Sequence, residues 1–336
     1  MPHTADIHEA PRQSASTRHR RAPHWMAWVP TVAILWPAGF GSLQTWWAVH
    51  GPPSFGPQHF DLIYFSGWNA VGLCAAAALT AMALRFARWN WALSVAAWGV
   101  CAAHLIASPL LLLDFVSAVL PGLGVPFSAA GFLSRAACLF QGVLVGAAAV
   151  AWRRQQRNAC LYCGRSSDVQ RPDSPPQWAW WAAYGAVFGC MLRLGAQFFL
   201  AFGDLARHLS GTRLIVEALL FEAGFLLAGV ILPLALVHRW GRATPPWIPL
   251  VGARPMPRWL LLGPAFALSP LMTAYFTITL VKLDGDTLRG TQSFDSFQPA
   301  FLWVAVPGYL IWGIGLGVAA IFYQRITRPT CSTCGR

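Results

Sequence analysis

Two copies of a short cysteine motif carry the clearest chemistry in this 336-residue chain. Residues Cys160–Arg165 read CLYCGR, and residues Cys331–Arg336 read CSTCGR. Two thiolates separated by two residues can bind one metal ion, and the glycine that follows permits the tight turn that directs backbone N–H groups at sulfur. Two motifs supply four ligands and leave no open position for water or substrate. The sequence therefore predicts one tetrahedral, structural zinc site, formed by Cys160, Cys163, Cys331 and Cys334.

Each cysteine motif resembles a zinc-ribbon knuckle over about five residues, and this resemblance implies a zinc-binding turn. A redox-active dithiol, palmitoylation and an unbound role remain as alternatives, because thiolate reactivity depends on the surroundings. A reducing cytosol disfavours a structural disulfide, and a c-type haem is excluded because neither motif continues to histidine. The other four cysteines lie in apolar stretches and are predicted to be small core residues: Cys74, Cys101, Cys138 and Cys190.

The cysteine motifs belong to a longer internal repeat. The segments Arg153–Arg165 and Gln324–Arg336 are identical at six of thirteen positions at a constant offset of 171 residues. This predicts two four-span halves, residues 24–165 and 177–336, joined by a polar cytoplasmic linker, residues 166–176. An even number of spans in each half makes the two repeats parallel, related by an axis along the membrane normal. Residues 1–23 are basic, lack an apolar run and are predicted to be a disordered cytoplasmic tail.

Composition identifies the elements that must position these cysteines. The chain is 56% hydrophobic and only 11% charged, whereas soluble domains carry about 25% charged residues. It is therefore predicted to be an all-α integral membrane protein, and this composition excludes a soluble nucleic-acid binder and a disulfide-rich secreted domain. Eight stretches are long and apolar enough to cross the membrane, and Ser108-Pro109 is expected to kink or end the third. The predicted spans are Trp25–Val49, Leu62–Leu84, Ala92–Val119, Leu133–Trp152, Trp178–Phe202, Leu214–His238, Leu260–Val281 and Ala300–Tyr323.

The basic residues predict the orientation of the chain. With the N-terminus inside, 18 of the 24 Lys and Arg residues fall in cytoplasmic segments, as the positive-inside rule requires. Both termini are therefore predicted to be cytoplasmic. The net charge of +12 then reflects contact with anionic lipid headgroups, the predicted partner, and no nucleic-acid role is expected. The sequence identifies no protein partner.

A few ionisable residues fall inside the predicted spans, where burial is costly without a partner. Arg193 and Glu222 lie at matching depths in neighbouring spans and are predicted to form an ion pair, with Glu217 as a second acceptor or as the mouth of a polar cavity. This group either orients two helices or forms a substrate or proton path. His104, in the middle of the third span, is either a hydrogen-bonded core residue or a functional one.

Two other segments invite a functional interpretation. Asp284-Gly285-Asp286 is predicted to be an ordinary turn in an outer loop, although D-x-D also binds a divalent metal in lipid-linked glycosyltransferases. Trp240–Arg258 is rich in proline and arginine and is predicted to be an extended cytoplasmic loop. No P-loop, G-x-S-x-G, H-E-x-x-H or dinucleotide fingerprint occurs in the sequence.

The loop Trp240–Arg258 and the run Pro257–Leu262 resemble uncharacterised multi-pass membrane proteins of high-GC actinobacteria. The resemblance implies a bacterial inner-membrane location and no particular activity. A duplicated bundle favours a transporter-like or permease-like role, in which two halves move around a midplane cavity; Pro233, Pro270 and Pro307 are candidate bends. A structural or scaffolding protein is the alternative, and a membrane-embedded lipid or polyprenyl-phosphate transferase is the second alternative. The sequence favours a non-enzymatic role.

Overall fold

The described part of the chain is mostly helical and contains no β-strand. The computed structural model describes residues 23–55, 65–88, 90–121, 126–157, 160–164, 175–200, 212–243, 256–289, 299–331 and 334. The predicted tail and most of the predicted linker lie outside these residues, as do Arg165, Gly335 and Arg336.

Eight helical spans among the described residues are long and apolar enough to cross a membrane, so the chain has the architecture of a multi-pass membrane protein. We number them in chain order as the first to the eighth span. The third span consists of two helices, and the sixth consists of two helices joined by a π-helical turn. Their helices are His24–His50, Gly67–Phe86, Trp91–Ile106 with Leu111–Val119, Ala129–Gln156, Gln177–Leu200, Thr212–Leu226 with Leu232–Val237, Arg258–Arg289 and Pro299–Ile326.

The break in the third span lies at the predicted Ser108-Pro109 position. The first helix of this span begins after Asn90, whose side chain accepts a hydrogen bond from the backbone N–H of Ala92 at 2.9 Å. The helix ends at Ile106, and the second begins at Leu111. Proline lacks an N–H group and disfavours helical geometry at the residue before it, which explains the break.

The sixth span contains the only π-helical turn in the described chain, Leu227–Ile231, directly before Pro233. Pro233 cannot donate to the carbonyl of Gly229, and a π-helical turn accommodates such a lost backbone bond. The predicted bend at Pro233 is therefore a local change of helix type. Pro270 and Pro307 instead lie inside helices that continue on both sides.

The seventh span corrects one prediction. Its helix runs from Arg258 to Arg289 and includes Asp284 and Gly285, which were predicted to form a turn in an outer loop. One glycine inside a long helix costs only about 1 kcal/mol, so the local turn preference of Asp-Gly does not end this helix. The predicted turn is therefore replaced by a continuous helix at this position.

The spans pack into two groups that follow the two halves of the sequence. In the first half, the first span packs on the second and fourth, and the third packs on the fourth. In the second half, the eighth span packs on the fifth and seventh. The helices approach closely where small residues meet, as at Gly189 and Gly308, which is typical of helix packing in membranes. The seventh span contacts both helices of the third and so joins the two groups.

Candidate metal centre and intramembrane polar groups

The structure brings the two cysteine motifs together. Cys160 follows the end of the fourth span at Gln156, and Cys331 follows the end of the eighth span at Ile326. The Sγ atoms of Cys160 and Cys331 are 3.9 Å apart. Those of Cys163 and Cys334 are 3.6 Å apart, and all four sulfur atoms lie within 4.8 Å of one another.

These distances fit a tetrahedral four-thiolate site. A Zn–S bond of about 2.3 Å places sulfur atoms about 3.8 Å apart along each tetrahedral edge. The two measured contacts, 3.6 and 3.9 Å, bracket that value. Each of these contacts joins cysteines that are 171 residues apart, the offset of the sequence repeat. The four cysteines form the one cluster of potential metal ligands found among the described residues.

Glycine shapes the first knuckle. Gly164 has a φ of 70°, a conformation that favours residues without a side chain, and its N–H donates to the carbonyl of Cys160 at 2.6 Å. A Cβ atom at Gly164 would lie 2.8 Å from Nε of Arg154. The turn therefore requires glycine both for its backbone angle and for the close approach of the arginine.

The knuckle also favours the thiolate form of Cys160, which is only 6% exposed. Burial raises the pKa of Cys160, but hydrogen bonds from the backbone N–H groups of Cys163 and Tyr162 and from the Cys163 and Cys334 thiols outweigh it. The pKa of Cys160 therefore lies below its ordinary value. Backbone N–H groups that point at sulfur are the arrangement expected of a metal-binding knuckle.

Two arginines brace the knuckles from outside the sulfur cluster. Arg154 donates to the carbonyls of Leu161 and Tyr162 at 3.3 and 3.4 Å, and its guanidinium lies 5.5 Å from the ring centre of Trp25. Arg328, which precedes the second motif, donates to the carbonyl of Cys163 at 3.2 Å. The contacts of Arg154 join the first motif to the first half, and the contact of Arg328 joins the two motifs to each other.

The predicted ion pair between Arg193 and Glu222 is present. Nη1 of Arg193 donates to both carboxylate oxygens of Glu222, at 2.8 and 3.1 Å, and Nε donates to the hydroxyl of Tyr309 at 2.7 Å. Gln197 donates to Glu222 at 2.9 Å, and the ring of Phe225 lies 4.5 Å from the guanidinium carbon. Arg193 is 5% exposed, whereas the Glu222 side chain is 28% exposed.

Glu217 does not take the place predicted for it beside Arg193. Among the described residues, the side-chain hydrogen bonds of Arg193 go to Glu222 and Tyr309 and none goes to Glu217, so Glu217 is not its second acceptor. Glu217 lies more than one helical turn before Glu222, and it is 9% exposed. The alternative role of Glu217, at the mouth of a polar cavity, stays a prediction.

A second intramembrane ion pair was missed by sequence reasoning. Nη1 of Arg135, near the start of the fourth span, donates to Asp114 in the third span at 2.7 Å, and both side chains are more than nine-tenths buried. Nη2 of Arg135 also donates to the carbonyl of Phe55 at 3.4 Å. The signal was available, because Asp114 and Arg135 lie at similar depths in consecutive predicted spans, as Arg193 and Glu222 do.

His104 is a buried core residue, as one of its two predicted roles requires. Its Nδ1 bonds the carbonyl of Val100 at 2.8 Å, while Nε2 has no hydrogen-bond partner among the described residues. Gln44 and Gln141 are equally buried and also carry unpartnered polar atoms. Sequence reasoning overlooked both glutamines, because only ionisable residues within the spans were taken as candidates.

Comparisons with known proteins give no further guide to this site. No protein-family model, no curated protein and no solved structure matches the chain. Its function is therefore argued from the residues and the geometry alone.

Proposed function

We propose that the chain is a transporter-like or permease-like protein of the bacterial inner membrane, with a structural zinc ion holding its two halves together at the cytoplasmic face. Both termini are cytoplasmic in this proposal, so that the arginine-rich face contacts anionic headgroups. The convergence of the four cysteines carries the zinc assignment. The buried Arg193 cluster carries the transport assignment, because ionisable groups inside a membrane most often mark a pathway.

Zinc is the metal that suits this donor set best. Four thiolates in a closed, tetrahedral arrangement are typical of structural zinc, and they leave no position for a reacting water. Cys160 and Cys163 would bind it from the first half, and Cys331 and Cys334 would bind it from the second. The ion would supply cross-linking and charge neutralisation, and it would take no part in moving a solute.

Repeated local packing supports two parallel, homologous halves. In the first half, Gly142 and Gly146 of the fourth span lie against His104 and Cys101 of the third. At the repeat offset of 171 residues these glycines correspond to Gly313 and Gly317 of the eighth span, which lie against Thr273 and Ser269 of the seventh. The third and seventh spans, which occupy corresponding places in the repeat, also contact each other. An axis between these spans and through the cysteine cluster would relate the halves.

The surroundings of Glu222 support a functional role for this carboxylate. Its side chain is 28% exposed, so it remains accessible, whereas its partner Arg193 is buried. The π-helical turn Leu227–Ile231 begins little more than one helical turn after Glu222, and such turns often mark functional sites. In this proposal Glu222 is the coupling element, a carboxylate that exchanges between a buried guanidinium and a passing solute or proton.

The test compares Glu222→Gln with Asp284→Asn, a neutralised carboxylate on an exposed residue of the seventh span. The gene would be deleted in its native bacterium, the solutes in cells and medium would be measured by untargeted mass spectrometry, and each variant would be used for complementation. We expect the wild type and Asp284→Asn to restore the solute levels and Glu222→Gln to fail while the protein accumulates normally.

Two outcomes would count against transport. Full restoration by Glu222→Gln would remove the carboxylate from any pathway. A defect that follows only the loss of accumulated protein would instead favour a structural or scaffolding role, because the ion pair would then serve only to hold the fifth and sixth spans together.

A further inference from the structure

Three fully buried polar side chains inside the first half have atoms without hydrogen-bond partners. Gln44, His104 and Gln141 are each 0% exposed and come from the first, third and fourth spans. Both polar atoms of the Gln44 amide, Nε2 of His104 and Nε2 of Gln141 have no partner among the described residues. Buried polar groups are almost always satisfied by protein or by an ordered molecule, so four such atoms in one bundle call for an occupant.

A chain of contacts connects these side chains within one bundle interior. Oε1 of Gln141 accepts from the thiol of Cys74, in the second span, at 3.7 Å. The side chain of Cys74 lies 3.2 Å from the Cβ position of Gly41, one helical turn before Gln44. His104 packs against Gly142, the neighbour of Gln141, at 2.8 Å from its Cβ position. All four spans of the first half therefore contribute to this polar interior.

The unpartnered atoms define the chemistry of an occupant. Nδ1 of His104 contacts a backbone carbonyl, which only accepts, so Nδ1 carries the proton and Nε2 of the neutral ring is an acceptor. Gln44 offers one donor group and one acceptor, and Gln141 offers one donor group. The set comprises two donor groups and two acceptors and carries no charge. It suits a small neutral molecule that both donates and accepts hydrogen bonds.

The second half shows how an equivalent place is filled. Aligning Trp25 with Trp178 places Gln44 opposite Gln197 at an offset of 153 residues, and it places Phe40 opposite Arg193. At the offset of Leu62 and Leu214, which is 152 residues, Ala70 corresponds to Glu222. In the second half, Gln197 donates to Glu222, which is held by Arg193. The first half keeps the amide but has small or apolar residues in place of both charged groups, so its amide has lost its protein partner.

We propose that the interior of the first half contains a binding site for a small neutral hydrogen-bonding molecule, held by Gln44, His104 and Gln141. Water is the smallest molecule of this class, and a water molecule needs two to four polar partners, which this set provides. A dissolved neutral solute of the same hydrogen-bonding character is the other possible source. The site does not depend on zinc binding or on transport through the second half.

The wild-type protein in liposomes allows a direct test. Water-edited solid-state NMR measures magnetisation transfer from water to labelled side-chain N–H groups. We expect rapid transfer to the amides of Gln44 and Gln141. We expect none to the indole N–H of Trp312, a matched control that is equally buried and unpartnered but is packed among the aromatic rings of Phe225 and Tyr309.

A variant series tests the same site through stability. Gln44→Met and Gln141→Met should each lower the apparent Tm by about 2–4 °C, and the double variant by less than the sum, because both amides bind one molecule. Gln177→Met, at an exposed amide, should leave the Tm unchanged. An amide that truly lacked a partner would instead give a Met variant as stable as the wild type or more so, because the replacement removes an unsatisfied group.

The outcomes separate the two sources of the molecule. Water transfer together with lower Tm values identifies bound water. Lower Tm values without water transfer identify a solute, provided that native mass spectrometry detects a small molecule that Gln44→Met releases. Met variants of unchanged stability, or destabilised variants with neither water transfer nor a released molecule, would overturn the proposal.

Discussion

The interiors of the two halves solve the same problem of burying polar groups in different ways. The second half buries Arg193, whose side chain donates hydrogen bonds to Glu222 and Tyr309. The first half buries Gln44 and Gln141 deep between its spans and leaves polar atoms of both without a protein partner. Its ion pair between Arg135 and Asp114 lies near the outer ends of its spans.

The polar network around Arg193 is closed, whereas the one around Gln44 and Gln141 is open. In a buried ion pair each charge compensates the other, so removing one member leaves an uncompensated charge. A neutral amide costs less to bury, but it needs a hydrogen-bond partner, which water or a solute can supply. One half can therefore hold a fixed internal network while the other holds an internal binding site.

The largest effect is expected where the two halves contribute equally, at the cysteine cluster. Elemental analysis of the purified protein should give one zinc ion per chain. Cys163→Ser and Cys334→Ser should each abolish zinc binding, because three thiolates without the fourth do not complete the closed site. Cys190→Ser, at a buried cysteine of the fifth span, should retain zinc. If the protein contained no metal and the four thiols of the two motifs were free to titrate, the zinc site would be contradicted. The halves would then be joined by packing alone.

The next largest effect is the loss of stability expected when one member of either intramembrane ion pair is removed. Asp114→Leu leaves Arg135 buried without its partner and should cost about 3–5 kcal/mol in the free energy of unfolding. Glu222→Leu should cost about 3 kcal/mol, at the lower end of that range, because the Glu222 side chain is 28% exposed. Unfolding in detergent micelles, followed by circular dichroism, measures both values.

A double variant checks the physical reason for this loss. Arg193→Met combined with Glu222→Leu replaces the pair by apolar side chains and should recover most of the stability that Glu222→Leu loses. If the double variant is as unstable as Glu222→Leu, shape at this position matters more than charge. If Glu222→Leu is as stable as the wild type, water hydrogen-bonds to the Arg193 guanidinium in place of Glu222. The polar network around Arg193 is then not closed.

Most of the architecture could be predicted from the sequence. Eight apolar stretches of sufficient length predict the eight spans, because a backbone in lipid must satisfy its own hydrogen bonds in helices. Cys160 and Cys331 could be assigned to one cluster because their motifs share an offset of 171 residues. The ion pair of Arg193 and Glu222 followed from equal depth in consecutive spans. The predicted turn at Asp284-Gly285 was wrong, because the local turn preference of Asp-Gly is too weak to end a long helix.

The polar interior of the first half could not be predicted in the same way. Gln44 and Gln141 carry no charge, so the signal that identified Arg193 and Glu222, an ionisable group within a span, does not mark them. Whether such an amide faces lipid, a neighbouring span or an internal site depends on helix rotation. That rotation is set by contacts such as Gly142 against His104, which only the packed structure reveals.

The paired glycines test whether the two halves share their packing. Gly142→Ala would bring a Cβ to 2.8 Å from Cβ of His104, and Gly313→Ala would bring one to 2.9 Å from Oγ1 of Thr273. Each should cost about 1–3 kcal/mol of stability through overpacking. Gly99→Ala and Gly263→Ala, at helical glycines with open space around them, should instead stabilise by about 0.5–1 kcal/mol. Unequal costs at Gly142 and Gly313 would show that helix packing has diverged together with the polar groups.

The smallest effect concerns the arginines beside the knuckles, where the halves differ although their sequences match. Arg154 donates to the carbonyls of Leu161 and Tyr162, whereas the side chain of its repeat counterpart Arg325 is exposed and makes no hydrogen bond to any described residue. Arg154→Lys loses the planar group that reaches both carbonyls and Trp25. It should speed zinc loss to a chelator about fivefold, equivalent to about 1 kcal/mol, while Arg325→Lys should have no effect. Equal rates in both variants would mean that the two knuckles are braced alike, and that the asymmetry of the halves is confined to the membrane interior.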